Sequence, residues 1–329
     1  MVRYILMQKK FHEDDIDATQ TNVIHPTQMI SKAHTTKMII KTNFTAAFGR
    51  PYFIEPFHRE MLQNLLRSHS LSTEQRTLSE LFLQAAGNES FLRVQYCQSD
   101  RPTQGRWYPC TVALQAMCLY PDIFVRLTSN LWTGFDVVNC HPTLLVQLCH
   151  KHAIDCRHME SYVNNRLQWL QSGEPHASRT DIKTAIIDIM NGDTSNLEGT
   201  SLERKSRAER VGTPDWLRLL ADETRHIHKS LASLEEYKAY RGFRDVDSKV
   251  VRNLLFANEA LVIHAMYRFL LEKKLIVDAQ CVILCDKILV HTFDASRSKY
   301  GPNFLTDMSQ AVRASTGFAL HIKQTEAGC

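Results

Sequence analysis

The feature that most constrains this chain is a change of pattern between Gly134 and Leu145. A run of strand-forming residues ends on Asp136, and Pro142 then opens an apolar pattern with helical spacing. Proline suits the first turn of a helix, where its missing N–H is not needed. The pattern therefore predicts that Asp136 lies where a strand meets a helix. Ligand-binding side chains are common at the carboxyl ends of strands.

Composition sets broad limits on what the chain can be. Its 329 residues suffice for one large domain or for two to three lobes. Apolar residues make up 44% and charged residues 22%, as in ordinary globular proteins, and the net charge of +4 is compatible with a polyanionic partner without requiring one.

The cysteines and the apolar runs predict an intracellular protein, in the cytoplasm or the nucleus. Nine cysteines, an odd number without dense spacing, favour reduced thiols. The apolar run at the N-terminus is too short for a signal peptide. No membrane span is expected, because the apolar stretch Ala260 to Leu271 is interrupted by His264 and Arg268.

The order of predicted elements favours an α+β fold over a regular βαβ series. Helical patterns cover Pro56–Ser68, Ser72–Ala86, Val112–Leu127, Pro142–His152, Met159–Leu170, Ser178–Met190, Pro214–Leu231, Ser248–Lys274 and Asn303–Ala314. Ser72 and Gln75 have the spacing of a capping box, and Pro121 predicts a bend. The polar arm from Met1 to Thr45 has one candidate strand, at Met38–Ile40.

Strand-like runs concentrate late in the chain. Two of them, Gln280–Cys285 and Ile288–Phe293, enclose Asp286-Lys287 and predict a hairpin with a two-residue loop. A closing strand is expected at Gly317–Lys323. If the hairpin and the Asp136 strand belong to one sheet, the two acids converge, and paired carboxylates are suitable ligands for Mg²⁺ or Mn²⁺. Taken singly, each Asp is more simply a helix cap or a turn former.

A helix between the two acids adds positive charge. Arg179 and Lys183 are one turn apart on one face, and Ile187 follows one turn later, before Asn191 and Gly192 end the helix. Two cations on an exposed helix face are usually only solvated, so their position between two acidic motifs is the reason to consider a site.

These three motifs, in this order, resemble those of family A DNA polymerases and single-subunit phage RNA polymerases. The residues between Asp136 and Pro142 look more like the divergent polymerases of transposons and virophages. The resemblance extends over Arg106 to Lys323, about two thirds of the chain. The hairpin motif is weakly specific alone, and the first motif is the most specific.

The resemblance implies a right-hand polymerase with a small antiparallel palm sheet, helical fingers and a helical thumb. Its expected regions are a partly ordered arm at 1–55, a thumb-like region at 56–130, palm at 131–158, fingers at 159–245 and palm again at 246–329. The implied reaction is template-directed transfer of nucleotides to a primer, with nucleic acid and nucleoside triphosphates as partners, a separate helicase as a further partner and no membrane.

The resemblance also implies roles for individual residues. Asp136 and Asp286 would bind the metal ions, and Lys183 would act with them in catalysis. Substrate would be bound by Arg179, Ile187, Asn191, Gly192, Asn139, His141 and Arg106. A loop anchored by the neighbouring Trp107 is an equally good explanation of Arg106.

Departures from the family pattern keep other functions open. Ile187 replaces an aromatic residue, Asn191 replaces a tyrosine, His141 replaces a glutamate and Lys287 follows Asp286. One alternative is therefore a degenerate relative that only binds nucleic acid. Another is a zinc-containing adaptor, suggested by a patch rich in cysteine and histidine at Cys140, His141, Cys149, His150, His152, Cys156 and His158. Glu259, on the helix before the hairpin, is expected to be a salt-bridged or surface acid. A role as an auxiliary catalytic acid is less expected.

Overall fold

The computed structural model describes residues 47–68, 70–98, 105–171, 178–192, 215–242, 246–292 and 301–326. Helices and small antiparallel sheets make up these residues, so the α+β class is confirmed. The candidate strand at Met38–Ile40 and most of the predicted arm lie outside them. The division into arm, thumb, palm and fingers stays a prediction.

The strands of the described residues are β1 (Phe53–Pro56), β2 (Phe91–Val94), β3 (Tyr96–Gln98), β4 (Trp107–Pro109), β5 (Trp132–Val137), β6 (Cys281–Leu284), β7 (Lys287–His291) and β8 (Ile322–Glu326). The helices are α1 (Arg59–Arg67), α2 (Thr73–Ala86), α3 (Leu114–Met117), α4 (Pro121–Thr128), α5 (Cys140–Lys151), α6 (Arg157–Asn164), α7 (Arg166–Gln171), α8 (Arg179–Met190), α9 (Asp215–Ser233), α10 (Asp247–Glu272) and α11 (Phe304–Thr316), with a 3₁₀ helix at Glu235–Tyr240.

The N-terminal region mixes helices with short strands. β1 pairs with β2 and β3 pairs with β4, both antiparallel. The sequence pattern missed all four strands, because runs of three or four residues are too short for alternation to be recognised. The capping box of α2 is present, with the Ser72 side chain accepting from the Gln75 N–H and the Gln75 side chain accepting in return.

The largest sheet of the described residues has four antiparallel strands in the order β6-β7-β5-β8. β5 is central, so Asp136 has a neighbour on each side, Lys287 on β7 and Lys323 on β8. One side of the sheet contributes Phe135, Ile288 and Ile322 to the core, all of them fully buried. The α10 and α11 helices pack against that core.

Two predicted boundaries were wrong. The hairpin loop is Cys285-Asp286, one residue earlier than expected, because Leu284 pairs with Lys287 and Cys285 takes a left-handed φ of 55°. The closing strand begins only at Ile322, since Gly317 (φ 81°) is the left-handed cap that ends α11.

Two predicted helices are each divided in two. The expected helix at Val112–Leu127 breaks at Pro121, which begins α4, as proline favours the start of a helix. The one at Met159–Leu170 breaks at Asn165, where φ is −123°. The bend predicted at Pro121 is therefore a full break between two helices, whereas the pattern gave no sign of the break at Asn165.

The α10 helix is the long core helix of the described region. Its 26 residues reach a mean hydropathy of 1.4 over their most apolar window, which by length and composition would suffice to cross a membrane. Most of that window is buried inside the protein, as in the core helix of a globular protein. The intracellular location stays a prediction.

Candidate functional site

The sheet brings the two predicted acids together. Asp136 is the fifth residue of β5 and Asp286 lies in the adjoining β6–β7 turn. The Val137 N–H donates a hydrogen bond of 3.1 Å to the Asp286 carbonyl, so the turn is attached directly to β5. Both residues are only partly buried, and the Asp136 side chain is 26% exposed. Two acids 150 residues apart in sequence therefore share one open end of the sheet.

Negative charge accumulates at this end of the sheet. Burial raises the pKa of Asp286, and the charges of Glu259 and Asp136 raise it further. Asp136 is compensated by Lys323, whose Nζ lies 3.3 Å from its Oδ2. No ion pair or hydrogen bond to the Asp286 carboxylate occurs within the described ranges, which leaves its charge less compensated than that of Asp136.

A buried glutamate organises the cations beside the acids. Glu259 on α10 accepts two hydrogen bonds from Arg106, of 2.5 and 2.6 Å, and lies 2.7 Å from the Nε2 of His141. Burial alone would raise the pKa of Glu259, but the charges of Arg106 and His141 and their hydrogen bonds outweigh burial and lower it to about 2. The Arg106 guanidinium also lies over the Phe256 ring, 4.3 Å from its centroid.

Arg106 and His141 thus have defined partners inside the protein. Their side chains remain 19% and 22% exposed, so each keeps an edge towards solvent. The neighbouring Trp107 is buried and packs against Phe48, as expected for an anchor, but it begins strand β4 and does not lie in the predicted loop. Contact of Arg106 or His141 with a substrate stays a prediction.

Asn139 has an unusual position three residues after Asp136. It precedes α5 in a left-handed conformation, with φ 55° and ψ 43°. Its side-chain Nδ2 is buried and has no hydrogen-bond partner among the described residues. Buried amide groups normally have a partner, so this donor is a candidate for contact with a bound group.

The Lys287 ammonium group is bound by the backbone of β8. The side chain is buried, and its Nζ donates to the Glu326 carbonyl at 3.3 Å. It passes over Gly134, where an added Cβ would lie 2.5 Å from the Lys287 Cε and 2.5 Å from the Thr325 Oγ1. Glycine at this position leaves room for the lysine to cross the central strand.

The predicted cationic face of α8 is present on the surface. Arg179 and Lys183 are exposed, Ile187 is 45% exposed, and α8 begins with a capping box formed by Ser178 and Asp181. No ion pair or hydrogen bond in the described part of the chain links Arg179 or Lys183 to Asp136 or Asp286. The structure therefore shows the cations accessible but does not bring them into contact with the acids.

The end of α8 has a structural explanation. Gly192 has a φ of 92°, and an added Cβ would lie 2.1 Å from the Ser248 Oγ. Asn191 is the C-cap residue, and its N–H donates to the carbonyls of Ile187 and Asp188. Helix termination and close packing thus account for Gly192, and a substrate contact for Asn191 and Gly192 stays a prediction.

The cysteine- and histidine-rich patch does not form a metal centre. Across the described ranges, no group of three or more His, Cys, Asp and Glu residues is arranged to hold an ion. His150 instead pairs with Glu160, and His152 bonds to the Tyr237 hydroxyl at 2.8 Å. Seven described cysteines are reduced thiols, as predicted, whereas Cys118 is disulfide-bonded, contrary to that prediction.

The two carboxylates nevertheless have the chemistry of a magnesium site. Mg²⁺ is commonly held by one or two carboxylates, with phosphate oxygens of a substrate and water completing its coordination. Asp136 and Asp286 supply hard oxygen ligands, and a cation would stabilise the ionised form of Asp286, whose pKa is raised by burial and by the charges of Glu259 and Asp136. The residues present therefore fit Mg²⁺ or Mn²⁺.

Of two further members of this site, Glu259 was expected to be salt-bridged or at the surface, and its ion pair with Arg106 confirms the first alternative, whereas Lys323 was missed. Glu259 lies in the buried stripe of α10 with Leu255, Val262 and Met266, and an acid at an apolar helical position was the available signal. Nothing in the sequence marked Lys323, because only the pairing of β5 with β8 places it beside Asp136.

Comparisons with known proteins give limited similarity. No protein-family model matches the sequence. A Sputnik virophage protein named "Putative helicase V13" is 28% identical over 204 residues, which are 58% of this chain and 25% of the virophage protein. The matched region is thus about a quarter of that relative's length. The sequence was expected to resemble virophage polymerases; this virophage relative is named a helicase, and the polymerase family stays a prediction.

The fold was also compared with solved structures. One similar structure is the POL domain of Pol1 from M. smegmatis in complex with DNA primer-template and dNTP, with a TM-score of 0.47 and 8% sequence identity. The similarity covers 91% of this chain and 64% of that chain. Similarity at this level carries no argument about chemistry, so the functional inference depends on the geometry of the acids.

Proposed function

We propose that this protein is a template-directed nucleotidyltransferase, a DNA polymerase or primase-polymerase built as a right hand. The observation that carries the proposal is the pairing of β5 with the β6–β7 hairpin, which brings Asp136 and Asp286 to one open sheet end. The hairpin sheet would be the palm, the helices of 159–245 the fingers and the region 56–130 the thumb.

Asp136 and Asp286 would hold Mg²⁺ or Mn²⁺, and Glu259 would keep Arg106 and His141 beside them. Bound there, the ions would supply neutralisation of phosphate charge and activation of the attacking hydroxyl. In the reaction, the primer 3′-hydroxyl attacks the α-phosphate of a nucleoside triphosphate, and pyrophosphate leaves.

The remaining residues would bind the substrate. Arg179 and Lys183 on the exposed face of α8 would contact the triphosphate, and Lys183 would donate a proton to the departing pyrophosphate. This role requires α8 to approach the acids when substrate binds, as mobile elements of enzymes often do. Ile187 would pack on the nascent base pair, with Asn191 and Gly192 at the end of the same face.

Asn139 and His141 would lie on the sugar side, on the short segment that follows Asp136. The buried Nδ2 of Asn139, which has no partner among the described residues, is the group that supports a contact there. The choice between ribose and deoxyribose would then depend on this segment.

A second function is favoured by the lysines. Lys323 is paired with Asp136, and Lys287 adds positive charge next to it. A relative that binds nucleic acid without catalysis would keep the fold and tolerate these lysines.

The virophage match supports a role in replication of a virus or mobile element. The name of that relative refers to a helicase, but this sequence has no Gly-rich phosphate loop ending in Gly-Lys-Ser/Thr. We therefore propose that strand separation is the task of a separate helicase and not of this region.

The test is primer extension by Asp286→Asn with Mg²⁺ or Mn²⁺ and labelled dNTP or NTP. The change removes one anionic ligand while preserving shape, and we expect extension to fall by at least about a hundredfold. Because burial and the neighbouring acids both disfavour the charged form of Asp286, the variant should be no less stable than wild type. Affinity for primed template, measured by fluorescence anisotropy, should change little.

Asp278→Asn is the matched control, since Asp278 is exposed and lies just before the same hairpin. It should extend primers at the wild-type rate. Wild-type extension by Asp286→Asn would contradict the metal assignment. No extension by any form, with template binding intact, would favour the non-catalytic function.

A further inference from the structure

Two lysines approach Asp136 from opposite sides. The β5–β8 register pairs Asp136 with Lys323, and the β5–β7 register pairs it with Lys287. Directly opposed residues of an antiparallel sheet project from the same face. A candidate metal ligand therefore lies between two positive side chains contributed by its own sheet.

The two lysines differ in how firmly they are held. Lys287 is buried, donates to the Glu326 carbonyl and lies in the space left by Gly134. Lys323 is 47% exposed, and its Nζ contacts the Asp136 Oδ2 at 3.3 Å. An exposed ion pair contributes little net stability, so Lys323 can leave Asp136 without disturbing the sheet.

The basic side chains on the other side of the site contact a different acid. Arg106 and His141 both contact Glu259, which is buried at the centre of that cluster. The Arg106 charge therefore largely compensates Glu259, and His141 contacts the same carboxylate. Lys323 is the positive charge in direct contact with Asp136 that solvent can reach.

We infer that Lys323 holds the place of a divalent cation at Asp136 and must withdraw when the ion binds. The inference rests on the proposed function, because it takes Asp136 and Asp286 as ligands of that ion. It makes Lys323 an affinity-setting residue, since its charge competes with the ion for one carboxylate and repels the ion once bound. Removing the charge should therefore tighten ion binding.

The experiment measures Mn²⁺ binding in the absence of nucleotide, by the electron paramagnetic resonance signal of free Mn²⁺. Lys323→Gln should bind Mn²⁺ about fivefold more tightly than wild type. Lys323→Arg should restore the wild-type affinity, because it retains the charge. Asp136→Asn should bind at least about tenfold more weakly.

The matched control is Lys238→Gln, which makes the same charge change elsewhere. Lys238 is 63% exposed and pairs with Glu235 in the 3₁₀ helix. Wild-type affinity in this variant would show that net charge alone does not cause the effect. Thermal unfolding of all variants in metal-free buffer checks that each is folded.

The outcomes separate the inference from the proposed function. If Asp136→Asn loses Mn²⁺ binding but Lys323→Gln binds Mn²⁺ with wild-type affinity, the metal site is supported and the proposed role of Lys323 is wrong. Equal tightening by Lys323→Gln and Lys238→Gln would also overturn that role. If Asp136→Asn binds Mn²⁺ as wild type does, the proposed metal site fails, and the inference fails with it.

Discussion

Two glutamates of this protein are equally buried, and yet folding shifts their pKa values in opposite directions. Glu55 on β1 is 0% exposed and Glu259 on α10 is 1% exposed. Burial raises the pKa of Glu55 to about 7, although hydrogen bonds from the Tyr96 hydroxyl and the Leu114 N–H lower it. The pKa of Glu259 is instead about 2, because Arg106 and His141 outweigh its burial.

The difference shows that the charge of the partners, and not burial, decides which acid stays ionised. Glu55 accepts from Tyr96 at 2.6 Å and from the Leu114 N–H at 2.7 Å, both neutral donors. The Tyr96 hydroxyl in turn accepts from the Ile283 N–H at 3.1 Å, so this network connects the N-terminal strands to the hairpin. It supports the sheet, whereas the Glu259 network places cations beside the candidate metal ligands.

The largest expected effect comes from removing the charge of Glu259. Glu259→Gln leaves Arg106 without its anionic partner in a largely buried position, and we expect a loss of about 3 kcal/mol in the free energy of unfolding. Urea unfolding at pH 7.5, followed by tryptophan fluorescence, measures this loss. Primer extension should fall as well, because Arg106 and His141 lose their common anchor.

Glu55→Gln is the matched control, with the same chemical change at an equally buried position. Its cost at pH 7.5 should be less than about 1 kcal/mol, since the ionised form of Glu55 is itself penalised by burial. Equal losses in the two variants would mean that partner charge does not distinguish these acids.

The next effect is a pH dependence of opposite sign at the two sites. The pKa of Glu55 rises on folding from 4.5 to about 7, so its burial penalty grows as pH increases from 4.5 to 7. The stability of Glu55→Gln relative to wild type should therefore increase by about 3 kcal/mol between pH 4.5 and 8. Unfolding curves at several pH values measure this difference.

Glu259 should behave in the reverse sense. Its pKa falls on folding to about 2, so its contribution is complete above pH 4.5 and is lost as pH decreases from 4.5 to 2. Burial lowers the pKa of His228 to about 4, so the protonation of His228 in acid also destabilises the folded protein. This contribution is the same in wild type and in Glu55→Gln, and it cancels in the difference between them. If the stability difference between Glu55→Gln and wild type does not change between pH 4.5 and 8, the raised pKa of Glu55 is contradicted.

The smallest effect sharpens the description of the Glu259 cluster. Phe256→Leu removes the aromatic face beneath Arg106 and should cost about 1 kcal/mol in addition to its loss of volume. Phe91→Leu is the comparison, because the Arg93 guanidinium lies 4.9 Å from the Phe91 ring centroid and Arg93 is exposed. If both variants lose the same stability in urea, desolvation adds nothing to the Arg106 contact.

Much of the secondary structure could be predicted from local pattern. The stretches that became α2, α5, α8 and α10 were expected within a few residues, since each has apolar residues at helical spacing and a recognisable start or end. The hairpin was expected too, but its loop was wrong by one residue. Cys285 takes a left-handed conformation that its residue type does not indicate.

The candidate site was predicted only in part. Asp136 and Asp286 were chosen because acids at strand ends and turns are open to ligands, and the structure does place them together. Arg106 and His141 were chosen as substrate contacts, and the structure gives them a buried acid as partner. Whether Lys183 reaches the acids stays a prediction.

The sequence by itself determined where the long helices and the late hairpin lie, because spacing, caps and turn residues act over a few neighbours, but it did not reveal the short strands β1 to β4. Only the tertiary structure decided which charges meet: that Glu259 is neutralised by Arg106 and His141, and that Asp136 lies between Lys287 and Lys323. Electrostatic energy depends on distance and burial, and strand register and helix packing set both for residues far apart in the chain.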